Sequence, residues 1–408
     1  MNKYDVLILG AGAAGLTAAI FAAQRGLNVM VLEKAPMAGR KILMSGGTRC
    51  NVLPVEVSVR DFVTSSSPNL LNKVFKSWSL EACHRWFTDD IGLDMVTEEA
   101  SNKWFPASNS AKEVRDLLLD AAIHAGARFR YNNGAKSIER SDNGTWNVTT
   151  FDGTVYKAEA IILATGGLSV PTTGTDGDGH RMLQSLGQDL VPTYPALTPL
   201  TGEHPGHDNL AGLSLEVGLR VVDHGKQVGT SNRRGFLFTH RGFSGPAVLD
   251  VSHWVVKDPS VGLEVDWLAT GSAWWEEQLV PSKSQVYTRV REFLPERLAR
   301  AIMEESGIPA HRNLAELGKA DRKRLVDLLC RYPLHPAGHE GYKKAEVTGG
   351  GVRLEDIDTA SMEHRLLPGL YVCGEIVDVF GRIGGFNFYW AWVSGRLAGM
   401  AANSNHFA

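Results

Sequence analysis

Short apolar runs closed by glycine turns set the rhythm of this chain. The first, Tyr4-Asp5-Val6-Leu7-Ile8-Leu9, is mostly aliphatic and reads as a strand buried on both faces. It runs into Gly10-Ala11-Gly12-Ala13-Ala14-Gly15, then into a helix-forming stretch over 16–25 that Gly26 ends. A second strand over 27–32 stops at Glu33. The same strand-then-glycine pattern returns at Ala160-Ile161-Ile162-Leu163-Ala164-Thr165-Gly166-Gly167 and at Gly369-Leu370-Tyr371-Val372-Cys373-Gly374-Glu375. Asp378 follows, and Gly384-Gly385-Phe386-Asn387 opens an apolar helix that runs to 402.

Between these runs the periodicity changes. Helical spacing covers 70–78, 80–89 and 111–125, with a break at 102–106. A strand is expected over 127–131, then a meander over 135–140, 146–151 and 155–158 with Asn-Gly and Asp-Gly turns. From Pro192 onward prolines and alternating segments (214–222, 235–239) mark a different, mainly β texture, and 276–331 is rich in Leu, Arg and Glu at helical spacing. The expected organisation is therefore a dinucleotide-binding domain made of 1–191 and 346–408. Inserted in it are a β-rich domain of 192–275 with 332–345 and a helical insert of 276–331.

Composition narrows the class. The 408 residues, 43% hydrophobic and 21% charged, describe a globular protein of two or three domains. The net charge of −3 gives no footprint for nucleic acid, so a small-molecule substrate is expected and no nucleic-acid partner. Residues 289–331 hold ten Lys/Arg against seven acids, a slight excess that reads as a solvated helix face rather than an RNA-binding surface. Cys50, Cys83, Cys330 and Cys373 are widely spaced with no CxxC, which favours a reducing, cytoplasmic setting over a disulfide framework. No apolar stretch approaches the roughly 20 residues of a membrane span. Oligomeric state is left open.

The opening segment has the offsets of a dinucleotide site. The first glycine permits a tight turn, the second lets a pyrophosphate approach the backbone, and the third packs helix against strand. The helix N-terminus offers free N–H groups and a positive dipole end. Glu33, at the tip of the second strand, can accept both hydroxyls of an adenosine ribose and disfavours a 2′-phosphate. Next come Arg40, Lys41 and the loop Ser45-Gly46-Gly47-Thr48-Arg49-Cys50-Asn51, whose backbone N–H groups and cations suit a pyrophosphate and an electron-rich ring. The apolar helix that starts near Gly385 offers a second positive dipole end.

Other chemistries find less support. No second GxGxxG with a trailing acid is present, so a dedicated NAD(P)H domain is not expected. Cys50 has no neighbouring cysteine for disulfide chemistry, and Cys83 reads as core. In Gly242-Phe243-Ser244-Gly245-Pro246 a proline stands where a nucleophile elbow needs glycine. Asp176-Gly177-Asp178-Gly179 lacks the closing Glu of a calcium loop, so no metal site is expected.

Taken together, these segments resemble the HI0933-like (YhiN/BaiN-like) flavoproteins. The resemblance is carried by GAGAAG at 10–15, GRKILMSGGTRCN at 39–51, ATGG at 164–167, ALTPL at 196–200 and FTHRGFSGPAVLDVS at 238–252. AEVTGGGV at 345–352 and GLYVCGEIVDVFGRIGGFNFYWAWVSGRLAG at 369–399 complete it. It implies an α/β fold: a glutathione-reductase-like (Rossmann-type) FAD domain with an inserted β-rich domain and a small helical domain. It also implies that Gly10, Gly12, Ala13, Ala14 and Gly15 hold the FAD pyrophosphate, with Glu33 and Lys34 at the adenosine. Arg40, Lys41, Ser45, Gly46, Gly47, Arg49, Cys50 and Asn51 would line the flavin side. Ala135 would meet adenine through its backbone, and Thr165 and Gly166 would close over the cofactor. Gly374, Glu375 and Asp378 would approach the ribityl and phosphates, and Gly385, Phe386 and Asn387 the pyrimidine edge.

The chain departs from the family pattern at Thr48, where a third glycine is usual, and at Phe386 and Tyr389, so substrate choice is expected to differ. The expected activity is FAD-dependent hydride transfer to or from an organic substrate in a cleft between domains, with NAD(P)H as a transient co-substrate. Oxygen-using amine oxidation and a non-catalytic FAD-bound module are the rivals. Catalytic residues are not fixed by the sequence; His240, Arg241 and Tyr389 are the candidates.

Overall fold

The computed structural model describes residues 3–99, 102–207 and 210–403. The chain forms two compact units, Met1–Tyr194 with Val347–Ala408, and Pro195–Glu346.

The first unit is built on a seven-stranded sheet. β1 (Lys3–Leu9), α1 (Ala13–Gln24) and β2 (Val29–Leu32) form the opening βαβ. β1 lies between β2 and Val155–Leu163, parallel to both. Leu370–Val372 joins Val155–Leu163 in parallel, and Arg128–Arg130 flanks β2. Ala135–Arg140 and Trp146–Thr150 complete the sheet as an antiparallel meander. Val6, Leu7, Ile8 and Leu9 are at most 1% exposed, as an aliphatic strand in the middle of a covered parallel sheet must be.

The register aligns the functional turns. Leu9 pairs with both Leu32 and Leu163, and Leu163 pairs with Val372. The segments after these strands, which begin at Gly10, Glu33, Ala164 and Cys373, therefore leave the sheet at one level. That level is the carboxyl edge, where open parallel sheets bind ligands.

The C-terminal helix Phe386–Ala401 packs on α1 through two glycines one turn apart. A Cβ on Gly395 would lie 2.4 Å from the Ala14 carbonyl oxygen, and one on Gly399 would lie 2.5 Å from that of Ala18. Backbone thus meets backbone, which ties the first helix of the chain to the last.

Two local expectations are corrected. The break expected at 102–106 is the strand Lys103–Pro106, which pairs with Met95–Glu98 and Leu53–Pro54. Its proline sits at the strand end, where no ladder is lost. The separate strands expected at 155–158 and from 160 are one strand, Val155–Leu163.

The second unit holds a seven-stranded antiparallel sheet. Its order is Tyr332–Leu334, Gly262–Asp266, Ser214–Asp223, Lys226–Thr239, Gly242–Ser244, Leu200–Gly202 and Pro336–His339. Helix Pro246–Lys257 packs on it, starting with a proline at a first-turn position that suits its missing N–H. Strand residues Phe236 and Val265 and helix residues Val290, Leu298 and Leu325 share one core. Among the described residues no helix is long and apolar enough to cross a membrane.

Candidate functional site

At the carboxyl edge of the first unit's sheet the three glycines of the opening loop do different jobs. Gly10 has φ +102°, and a Cβ there would lie 2.5 Å from the Ala164 carbonyl oxygen. A Cβ on Gly15 would lie 2.0 Å from the Gly10 carbonyl oxygen. Gly12 differs: a Cβ there would meet nothing within 4 Å. The protein's own packing therefore requires the first and third glycines. The space over the second is open, beside the start of α1, which has neither a side-chain cap nor an acid in its first turn. A pyrophosphate fits that cradle of uncapped N–H groups.

Glu33 closes the loop. Its carboxylate accepts the Ala11 and Ala35 backbone N–H groups, each at 2.7 Å. One bond falls on each oxygen, which leaves acceptor capacity for two ribose hydroxyls. Burial raises its pKa, opposed by these amides and by the nearby Arg40 charge. Between the ordinary carboxylate value and this raised one, the native state holds more protons than the unfolded chain. Glu33 thus makes apoprotein stability fall as pH rises through that window. The unfolding free energy of the wild type minus that of Glu33→Gln should fall through this window, since lowered carboxylates such as Asp116, Asp178 and Glu355 act in the opposite sense in both proteins.

Lys34 pairs with Asp176 and Asp178 at 2.6 Å each and packs over the Phe151 ring. Ala135 is buried at the start of its strand. The basic segment is tied to the glycine loop, since the Gly39 N–H donates to the Ala11 carbonyl at 2.9 Å. Lys41 reaches across the chain to Glu375 at 2.7 Å and to the Ser169 hydroxyl at 2.6 Å. Glu375 also accepts the Ser169 hydroxyl at 2.6 Å and the Thr348 N–H at 3.1 Å. The Thr348 hydroxyl in turn accepts the Leu168 and Ser169 N–H groups. Ser169 and Thr348 were not singled out in the sequence, although Thr348 lies within AEVTGGGV.

The loop at 45–51 is left-handed at Gly46, Gly47, Thr48 and Cys50. Thr48, exposed at φ +70°, occupies a conformation that costs a β-branched residue about 1–2 kcal/mol. Thr48→Gly, after glycine's own entropy cost, should gain roughly 1 kcal/mol, read as a higher urea midpoint with an unchanged m-value. Arg49 pairs with Glu98 at 2.9 Å and stacks over Phe105. Ser45 donates to the Ile42 carbonyl, and the Asn51 side-chain oxygen is buried without a protein donor. The Thr165 hydroxyl, beside left-handed Gly166, is likewise buried and unpartnered.

Cys50 is fully buried and its thiol is pushed up to about 12 by burial. Burial also raises the other three thiols. Native protein should therefore leave a thiol reagent unreacted, and denatured protein should consume four equivalents.

The C-terminal segment contributes backbone more than side chains. A Cβ on Gly374 would lie 2.9 Å from the Ala14 Cβ. The buried Asp378 carboxylate accepts from the Ser65 N–H and hydroxyl and from the Gly350 N–H. Asn387 clasps the Gly381 backbone at 2.8 and 2.9 Å. Phe386 is buried under Arg382 and against Phe62. Helix Phe386–Ala401 begins after left-handed Gly385 with no side-chain cap and no acid in its first turn. Tyr389 is 1% exposed, stacked on Phe75, with its hydroxyl donated to the Trp78 carbonyl at 2.8 Å. His240 and Arg241 belong to the second unit, at the exposed turn between Lys226–Thr239 and Gly242–Ser244.

The glycine loop, Glu33, the basic segment and the uncapped C-terminal helix are the parts a flavin dinucleotide needs. The HI0933-like protein Rossmann domain matches over residues 4–401. The chain belongs to the HI0933-like family. It is 32% identical over 398 residues to Ribosomal RNA dihydrouridine synthase of Escherichia coli (strain K12), covering 97% of this chain and 96% of that one. It is 30% identical over 414 residues to 3-dehydro-bile acid delta(4,6)-reductase of Clostridium scindens, covering 98% and 99%. The fold is shared with 3-ketosteroid-delta4-(5alpha)-dehydrogenase from Rhodococcus jostii RHA1 at a TM-score of 0.54 and 14% identity, over 99% of this chain and 97% of that one. This HI0933-like protein is a flavoprotein oxidoreductase, a flavin-dependent reductase.

Proposed function

We propose that this protein is an FAD-dependent reductase of carbon–carbon double bonds conjugated to a carbonyl, and that its substrate is uracil in ribosomal RNA. The observation that carries the substrate is the 32% identity, over nearly the whole of both chains, to a Ribosomal RNA dihydrouridine synthase. A second relative of that name, from Haemophilus influenzae, is also 32% identical, over 97% of each chain. Uridine and dihydrouridine differ by two hydrogens across one double bond conjugated to a carbonyl. The bile acid relative is named for a reductase as well, and a small conjugated enone is therefore the second reading.

When bound, the flavin would supply the hydride and solvent the proton that together make the two added hydrogens, with NAD(P)H, binding transiently, as the two-electron reductant. The chain's own residues position it. Gly12 and the N-terminus of α1 would take the pyrophosphate, Glu33 the adenosine ribose, and Lys41 with the 45–51 loop the flavin side. The uncapped start of Phe386–Ala401 would favour negative charge on the pyrimidine edge.

Ribosomal RNA from cells lacking this chain, digested to nucleosides and weighed by mass spectrometry, should lose a dihydrouridine that returns when the gene is restored. Unchanged dihydrouridine, with rapid anaerobic reoxidation of the reduced enzyme by a steroid enone, would move the assignment to the second reading.

A further inference from the structure

The second unit carries a groove of about 370 Å³ that has no part in the dinucleotide cradle. Its floor and walls come from helix Lys319–Cys330, Arg331 and the strand Tyr332–Leu334. The helix contributes Ala320, Lys323, Arg324, Asp327 and Leu328, an i, i+3, i+4, i+7, i+8 stripe that Arg331 extends by a further turn. Residues 319–331 hold five Lys/Arg against two Asp, whereas the whole chain is at −3. Of these five cations Lys323, Arg324 and Arg331 line the groove, with Asp327 as the acid among its lining residues.

Two of its cations are available for a ligand. Lys323 is exposed and makes no ion pair among the described residues. Among the described residues Arg331 is ion-paired only with Asp327, at 3.5 Å, with both side chains about half exposed. An exposed pair of that kind is worth only about 0–1 kcal/mol, so the guanidinium can turn to a stronger acceptor. Arg324 is held by the Ser306 carbonyl and by Asp321, so its charge is already paired. Lys323 and Arg331 are separated by a helical rise of about 12 Å, enough to follow several phosphates of one strand.

A peptide strand is a poorer occupant. The sheet ends at Tyr332–Leu334, but the middle residue of that edge is Pro333, which has no N–H for strand addition.

We infer that this groove binds the phosphodiester backbone of the RNA substrate, with Lys323 and Arg331 as the contacting cations. The inference rests on the ribosomal RNA reading above and adds a second, sequence-independent contact to the reacting site.

The test uses full-length, flavin-loaded protein and deproteinised ribosomal RNA, with binding followed by fluorescence anisotropy from about 50 to 200 mM salt. Lys323→Glu with Arg331→Glu should weaken RNA binding by about tenfold or more and lower the slope of log affinity on log salt by about 0.7 per lost contact. Lys323→Gln with Arg331→Gln should show the same slope change with a smaller loss. Reduction of the flavin by NAD(P)H should stay at the wild-type rate in all variants. A wild-type slope in both double variants overturns the groove and leaves the RNA reading standing. An equal loss of affinity for polyglutamate overturns the assignment to a phosphodiester. If wild-type protein binds no RNA even at low salt, the groove and the RNA reading fail together.

Discussion

Gly12→Ala is expected to abolish flavin binding while leaving the apoprotein folded, whereas Gly15→Ala is expected to damage the fold itself. The two substitutions add the same methyl group to the same loop, so geometry alone separates them. At Gly15 the new carbon would sit 2.0 Å from the Gly10 carbonyl oxygen, and helix and strand must part to admit it. Backbone shifts of that kind cost about 1–3 kcal/mol or more. At Gly12 the methyl meets no protein atom within 4 Å. The apoprotein should lose less than about 1 kcal/mol, mainly from a poorer N-cap. The methyl would instead occupy the space over the loop and keep a pyrophosphate from the N–H groups of α1. Urea unfolding of the apoproteins and flavin titration of both variants read the difference. Equal stability losses would show that the two glycines are not divided between packing and ligand.

Glu375→Gln is expected to loosen the last third of the chain from the first. Its carboxylate joins Lys41, Ser169 and Thr348, residues drawn from three segments far apart in sequence. Lys41 and Glu375 have side chains only 25% and 18% exposed. Removing one charge leaves the other short of its partner in a partly desolvated site, which costs about 2–4 kcal/mol. The loss should appear in the urea midpoint of the apoprotein, and flavin affinity should fall with it, because Lys41 belongs to the basic segment bonded to the glycine loop. Lys41→Met in the Glu375→Gln background should then cost far less than it does alone, since coupled partners are non-additive.

The opening βαβ could be read directly from residues because each of its constraints is local. Strand, turn, helix and terminal acid lie within one supersecondary unit, and the steric roles of Gly10 and Gly15 follow from their offsets. The return of the opening pattern at 160–167 and 369–375 was legible too, but the register that brings Ala164 and Cys373 to the same sheet edge was not. What stayed hidden depends on contacts distant in sequence. Nothing near Glu375 announces that its partners are Lys41 and Ser169. Asp378 and Asn387 lie in the motif that carries the family resemblance, but nothing there announces their partners at Ser65, Gly350 and Gly381. Tyr389, a candidate for catalysis by its motif, is held in the core by its hydroxyl bond to Trp78. Helix Pro246–Lys257 did leave a signal, a glycine followed by proline at its start, but the same residues looked like a failed nucleophile elbow. The packing of Gly395 and Gly399 on α1 depends on a helix at the opposite end of the chain and left no reading in the sequence.

Charge misleads when it is averaged. A net charge of −3 argued against a nucleic-acid partner, yet the relatives include proteins named for ribosomal RNA, and the second unit concentrates cations along one helix. Association with a polyanion depends on where charge is placed rather than on its sum.

The first unit is expected to hold one extended flavin dinucleotide. Protein purified without added cofactor, stripped and titrated with FAD and with FMN, tests this directly. The prediction is saturation at one FAD per chain, no comparable binding of FMN, and loss of FAD binding in Gly12→Ala. A protein that takes up no flavin, or that binds FMN as well as FAD, would contradict it.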